Sequence, residues 1–449
     1  MNMALRDWLE ILRQEGNLRT VSREVDPVFE LSAVGKKLDG KAAVLFKKIK
    51  GYNMPVVTGL AGSRDMFAKA LATDRAGMIE RFNHSLDNPM PCELVNNNGL
   101  AVKQNILKGS QINLAQLLPA PTHHAKDAGA FLTAAMLIAK DPETGEKNVA
   151  IHRHQILGPN KLGALLLPRH TLHMFNKAEA KGQPLEVALV IGVHPVLLLA
   201  SQATTRFGID ELEIAGALMG EPVRVTKCET IDLEVPVEAE FILEGKMLPG
   251  VREAEGPFGE YPRCYGPESP KQIIEIQCVT YRNNPIYHTI VPATLEHLLL
   301  GAIPREAVML QMVRQAVPSV KAVHLTPAGG CRYHAVISID KKHEGQGKNA
   351  IFAALTSSTE VKHVVVVDSD IDIFDPQDVE WAISTRCQAA EDVFIIKNAM
   401  GNKLDPSSKD GVSDKMGIDA TIPLADAVGK YEKITIPGLD AIKLDDYLD

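Results

Sequence analysis

NVAIHRHQILGPNKL, residues 148–162, sits within a series of short apolar segments that run at strand length rather than at helical spacing. Around it lie FLTAAMLIA (131–139), LGALLLP (162–168), VALVIGV (187–193), EAEFILEG (238–245), QIIEIQCVTYR (272–282) and IYHTIV (286–291). Such a series predicts a mostly β central domain, placed here at residues 111–303.

Working outward, the N-terminal ALRDWLEILRQEG carries Leu5, Trp8, Leu9 and Leu12 on one helical stripe and ends at Gly16. LRTVSREV (18–25) and AAVLFKKI (42–49) then read as strands and DMFAKALA (65–72) as a helix, a small α/β domain over residues 1–110. Downstream, PREAVMLQMVRQAV (304–317) has proline at a favoured first-turn position and apolar Val308, Met312 and Ala316, so a connecting helix is expected over 304–325. RYHAVISI (332–339) and KHVVVVDSDIDIF (362–374) flank the helical AIFAALTSS (350–358), which predicts a second α/β domain over 326–449. The fold class is thus α/β (α+β).

At 449 residues, 45% of them hydrophobic and 23% charged, the chain has enough apolar residues for more than one core. The net charge of −8 argues against broad nucleic-acid or anionic-membrane binding, and points to small molecules or further copies of the chain as partners. Six cysteines are scattered without a CxxC, which fits a reducing cytoplasm. The N-terminal helix does not look like a secretory signal, and EVALVIGVHPVLLLAS (186–201) is interrupted by His194 and Pro195, so neither export nor a membrane span is expected.

EGPFGEYPRCYGP (255–267) carries Glu255 and Glu260 around Gly256, Pro257 and Gly259. In a regular helix or strand that spacing separates the two side chains. Gly256 and Pro257 favour a folded-back turn that aims both inward, although two glutamates on a Gly/Pro loop are also commonly solvated. HEGQGKN (343–349) fails as a phosphate-binding loop, because Lys342 stands where a glycine is required and Asn349 where a hydroxyl is. In DSDIDIFDPQD (368–378), Asp375-Pro376 reads as a helix start, and capping is preferred over magnesium binding.

NVAIHRHQILGPNKL, EGPFGE and SDKMGIDAT (413–421), taken in order, resemble the UbiD-type decarboxylases, and the resemblance extends over essentially the whole chain. It implies a central split β-barrel flavin-binding domain and removal of a carboxyl group without oxidation, on prenylated FMN held with Mn2+ (or Mg2+) and K+. It also implies a C-terminal domain that contributes to oligomerisation and to the active site. Arg153, Glu255 and Glu260 fall on the family's catalytic positions, Glu260 as proton donor and Glu255 as the ionised partner of Arg153. The chemistry is consistent with such a set, since loss of CO2 from an sp2 carbon needs an electron sink from a cofactor and then a proton.

The same resemblance places Asn148, His170 and Glu211 as metal ligands. It sets Ile151, His152, Arg153, Leu165, Leu166, Leu167, His170 and Lys415 against the flavin and its phosphate. Read singly, Arg153 is an ordinary ion-pair residue, His170 a helix cap and Glu211 a solvated helix residue. Asn148 and Arg153 have odd separation, so an unbroken strand would point them to opposite faces.

His297 and Arg305 in TLEHLLLGAIPRE (294–306) look like the branch acting on furan-2,5-dicarboxylate, whose second carboxylate calls for a cationic partner. Singly, His297 reads equally as a core residue and Arg305 as a surface one. The implied reaction is reversible conversion of furan-2,5-dicarboxylate to 2-furoate, with a flavin prenyltransferase supplying the cofactor and a homo-oligomer, dimer or hexamer, as the assembly. A phenolic or pyrrole-type monoacid decarboxylase, a flavin-independent metallohydrolase and a non-catalytic scaffold are the alternatives.

Overall fold

The computed structural model describes residues 4–97, 99–426 and 429–448. Its organising element is an antiparallel pair of long strands, Phe241–Glu255 and Ser269–Tyr281, paired from Phe241 opposite Tyr281 to Glu255 opposite Ser269 with register shifts between Glu244 and Gly245 and between Met247 and Arg252. Around this pair the central sheet runs Phe131–Leu132, His154–Gly158, Lys161–Ala164, Ser269–Tyr281, Phe241–Glu255, Leu185–Ile191, Met136–Lys140, Lys147–Ile151, and Asn105–Lys108 adds to the Ser269–Tyr281 strand. Leu137, Leu162, Leu189, Leu243 and Ile274 fill the interior beneath it, as the apolar segments require. This is the split barrel of the central domain.

Helix Leu5–Gln14 buries Leu5, Trp8, Leu9 and Leu12, the stripe expected from the sequence. The N-terminal sheet is ordered Leu18–Val25, Ala43–Ile49, Val56–Thr58, Tyr287–His288. Its last strand is a departure from the sequence reading. IYHTIV alternates like a barrel strand, but Tyr287 and His288 pair in parallel with Val56 and Val57, because the free sheet edge lies in the N-terminal layer.

The C-terminal sheet is ordered Val320–Leu325, His334–Ile339, His363–Asp368, Val412–Ala420, Val393–Met400. Asp375 caps helix Pro376–Arg386 by accepting from the Gln377 backbone, so the acidic run is a helix start, as expected. Helix Leu295–Ala316 joins the halves, and here the expected start at Pro304 is corrected: Pro304 lies inside the helix. Proline lacks the N–H that would bond Leu300, yet tertiary packing on both sides keeps the helix going. Leu298, Leu299, Leu300, Ile303, Ala307 and Leu310 are all buried in one cluster with both flanking domains. Among the described residues no helix is long and apolar enough to cross a membrane.

Candidate active site

Strand Lys147–Ile151 stops and strand His154–Gly158 begins after it, leaving His152 and Arg153 in an irregular step. That break resolves the parity problem of Asn148 and Arg153. The Arg153 side chain, only 8% exposed, turns inward beneath the hairpin that joins the two long strands. Its Nε and Nη2 donate to Oε1 and Oε2 of Glu255 at 2.9 and 2.7 Å, while Nη1 donates to Glu260. The Phe258 ring lies 5.1 Å from the guanidinium carbon, completing a cation–π floor.

The hairpin takes this shape because Gly256 sits at φ +88°, in the left-handed region, where its N–H donates to Gln155 Oε1 at 2.9 Å. A Cβ at Gly256 would lie 3.2 Å from the Pro267 carbonyl and 3.6 Å from Arg153 Nη2, so a side chain would press on both loop and guanidinium. The Gly259 N–H donates to Asp127 Oδ1 at 2.9 Å. EGPFGE is therefore a turn that brings both acids to one cation.

The two carboxyls differ in what else surrounds them. Glu255 is fully buried and grips Arg153 through a two-point fork. Glu260 is 8% exposed, and burial pushes its carboxyl above the usual range even though Arg153 opposes the shift. Glu260 is thus held at a higher proton affinity than an ordinary glutamate, beside a Glu255 that pairs with Arg153 at two points.

A cavity of about 910 Å³, part of it open to solvent, lies over this group; Ile151, His152, Arg153, Leu165, Leu167 and Glu260 line one end. His297, Arg305, Arg332 and Glu360 line the other. His297 accepts from the Ala293 N–H through Nδ1 at 3.1 Å, and burial, aided by Arg332, holds it down to about 3. It is thus neutral, and its proton resides on Nε2. Arg305 Nε donates to Glu360 Oε2 at 2.7 Å and Nη1 to the Gly301 carbonyl at 2.9 Å.

A second cleft of about 1090 Å³ shares Ile151, His152, Leu167 and Arg305 with the first and also contains Asn148, His170 and Glu211. Asn148 Oδ1 is 3.2 Å from His170 Nδ1, and its Nδ2 donates to Thr171 Oγ1 at 3.0 Å. Glu211 is not on a solvated face: it is 3% exposed at the start of helix Glu211–Met219 and accepts from the Val149 N–H at 2.7 Å. Burial pushes it up to about 8, the behaviour of a carboxylate lacking a cation. Among the described residues no three His, Cys, Asp or Glu side chains converge on a metal position. The set here is instead one amide oxygen, one imidazole and one carboxylate, donors that suit a hard divalent ion.

Two residues expected at the cofactor do not line either cleft: Leu166 is buried in the core, and Lys415 donates from Nζ to the carbonyls of Leu355 and Thr359, both at 3.3 Å. The preceding helix ends at Ser357, and its last carbonyls attract the ammonium. Conversely, Arg332, Glu360, Tyr261 and Asn402 were not singled out from the sequence. They lie far apart along the chain, with no motif or periodicity to join them.

Comparison with known proteins shows the class of protein, a decarboxylase. Three family models match in succession: the 3-octaprenyl-4-hydroxybenzoate carboxy-lyase N-terminal domain over residues 9–86, the Rift-related domain over 93–295 and the C-terminal domain over 298–420. The chain belongs to the UbiD family and is a carboxy-lyase. It is similar to anhydromevalonate phosphate decarboxylase of Methanothermobacter thermautotrophicus, 37% identical over 96% of this chain and 99% of that one. It also resembles phenolic acid decarboxylase of Sedimentibacter hydroxybenzoicus, at 32% identity over 94% of this chain and 92% of that one. Among solved structures, the UbiD-class enzyme HmfF from Pelotomaculum thermopropionicum in complex with FMN superposes with a TM-score of 0.97 at 63% identity, covering 99% of this chain and 100% of that one. Family membership displaces the metallohydrolase and scaffold readings.

Proposed function

We propose that the chain interconverts furan-2,5-dicarboxylate and 2-furoate. The carrying observation is the cationic lining of the cavity, where Arg305 and the neutral donor His297 share one space with Arg153 and Glu260. A heteroaromatic diacid has a carboxylate for each end.

Ile151, His152, Arg153, Leu165 and Leu167 would flank a flavin ring, while Asn148, His170 and Glu211 would hold Mn2+ or Mg2+ near its phosphate, with K+ as a further ion. The likeness to HmfF, solved both with FMN and, in an evolved dimeric form, with prFMN, supports prenylated FMN as the cofactor. When bound, that group supplies the electron sink for the density left by departing CO2. The chain's own residues do the rest. Arg153 and Glu255 hold the charge pattern beside the reacting carbon, and Glu260 delivers a proton to it once CO2 has gone. Glu260 also borders an outer cleft with His124 and Arg263, the side from which water can recharge it.

The reading carries with it a cytoplasmic homo-oligomer, dimer or hexamer, loaded by a flavin prenyltransferase. The test is expression with such a transferase, followed by turnover of furan-2,5-dicarboxylate, 2-furoate, pyrrole-2-carboxylate and hydroxybenzoates. Preference for the diacid is expected, and Arg305→Ala should abolish it. Faster turnover of any monoacid would sink the proposal. One further reading has a specific support: the 37% identical relative is named for a phosphorylated acid, and a terminal phosphate would also suit the cationic end. A phosphorylated unsaturated acid therefore belongs in the same assay.

A further inference from the structure

The far end of the cavity holds a second arginine whose charge the residues around it do not balance. Arg332 is 5% exposed and lines the cavity. Its Nη1 donates to the carbonyls of Leu298 and Cys331 at 3.3 and 2.9 Å, and its Nε lies 3.9 Å from Glu360. Among the described residues, neither its Nη2 nor that of Arg305 makes a hydrogen bond.

Glu360 serves both cations and is already committed. Its Oε2 accepts from Arg305 Nε at 2.7 Å, and its Oε1 accepts from Asn402 Nδ2 at 2.8 Å. Burial pushes Glu360 up, but Arg305 and Arg332 overcome this and hold it at about 2, so it stays ionised. Arg305 and Arg332 thus share one carboxylate, on which Arg169 also acts, and a buried cation without its own counter-ion is costly unless an anion joins it.

Local structure keeps Arg332 in place. The Tyr261 ring lies 5.2 Å from its guanidinium carbon. Gly301, in helix Leu295–Ala316, has no side chain where one would collide with Arg332: a Cβ there would overlap Cζ, Nη1 and Nη2 of the guanidinium. The carbonyl of the same glycine accepts from Arg305 Nη1, so one position seats both cations.

We propose that Arg332 and Arg305 form a two-arginine clamp for the anionic group of the substrate remote from the carboxylate that is lost, with Gly301 as the position that makes room for it. This rests on the reading of the substrate as a dianion and adds Arg332 and Gly301 to it. The shared chemistry is a planar or tetrahedral oxyanion, carboxylate or phosphate.

The test measures dissociation constants by calorimetry on the full-length protein, together with KM for the holoenzyme. The ligands are furan-2,5-dicarboxylate, 2-furoate and an unsaturated acid carrying a terminal phosphate. Arg332→Gln should lower the preference for dianion over monoacid by about 10–100-fold, the size of a charge-assisted hydrogen bond. Arg332→Lys should recover part of it, restoring charge without the fork. Gly301→Ala should shift the ratio the same way with both arginines present, and Arg332→Lys decides the matter if that variant does not fold. Whichever dianion the wild type prefers identifies the group held. A wild-type ratio retained by Arg332→Gln while Arg305→Ala loses it overturns the clamp alone. A wild type that prefers neither dianion overturns the substrate reading and the clamp together.

Discussion

On the proposed reading Glu260 has to be neutral to donate and near a cation to be held. Burial raises its carboxyl while Arg153, which gives two donor atoms to Glu255 and the third to Glu260, opposes the rise, and the net direction is upward. Glu260→Gln keeps the shape and removes the proton, so kcat for decarboxylation should fall by about 10²–10⁴-fold, measured by CO2 release under single-turnover and steady-state conditions. The sign of the pH effect on stability follows from the raised folded-state value. Glu260's contribution is fully present below the ordinary glutamate range of about 4.3 and is lost as pH rises through the elevated value, since the native state binds the extra proton. Urea midpoints should therefore show wild type losing stability relative to Glu260→Gln as pH rises across that window. Parallel curves would contradict the assignment.

At the scale of elements, helix Leu295–Ala316 has to run through Pro304 and still present Arg305 to the cavity. One of its holds on the N-terminal domain is Glu306, fully buried, whose Oε2 accepts from Arg64 Nη1 at 2.9 Å and whose Oε1 accepts from the Leu325 N–H at 2.7 Å. Burial pushes Glu306 up, but Arg64 and His324 overcome it and hold it at about 2. Breaking one side of such a pair strands the other charge, so Arg64→Met should destabilise the protein by about 3–5 kcal/mol in chemical denaturation. A loss under about 1 kcal/mol, the scale of an exposed pair, would show that the contact is incidental.

Over the whole molecule, the cavity is lined by both the central and the C-terminal parts. Asn402 Nδ2 donates to Tyr261 Oη and to Glu360 Oε1, both at 2.8 Å, and Tyr261 Oη donates to Tyr333 Oη at 2.9 Å. Through these bonds Tyr261, the residue next to Glu260, is tied to Glu360, the carboxylate beside Arg305 and Arg332. Tyr261→Phe removes both hydroxyl bonds while retaining the ring beneath Arg332. At about 1 kcal/mol for each net hydrogen bond, the loss of two should lower stability by about 2 kcal/mol, read as a fall in the urea midpoint, and should raise KM for the preferred substrate by up to about 30-fold. An unchanged KM would mean that the seam does not shape the site.

The sequence alone determined whatever depends on neighbours in the chain: the apolar stripe of the first helix, the strand runs, the Gly-Pro turn, the Asp375 cap and the family motifs. These follow from side-chain period and backbone preference, which act over a few residues. Tertiary structure decided which sheet took Tyr287 and His288, whether Pro304 ended a helix, where Lys415 pointed, and that Arg332 and Glu360 would share one pocket wall with Asn402 bonded to Glu360. Free sheet edges, packing around the proline and the balance of buried charge arise only when distant segments meet, so no local pattern encodes them.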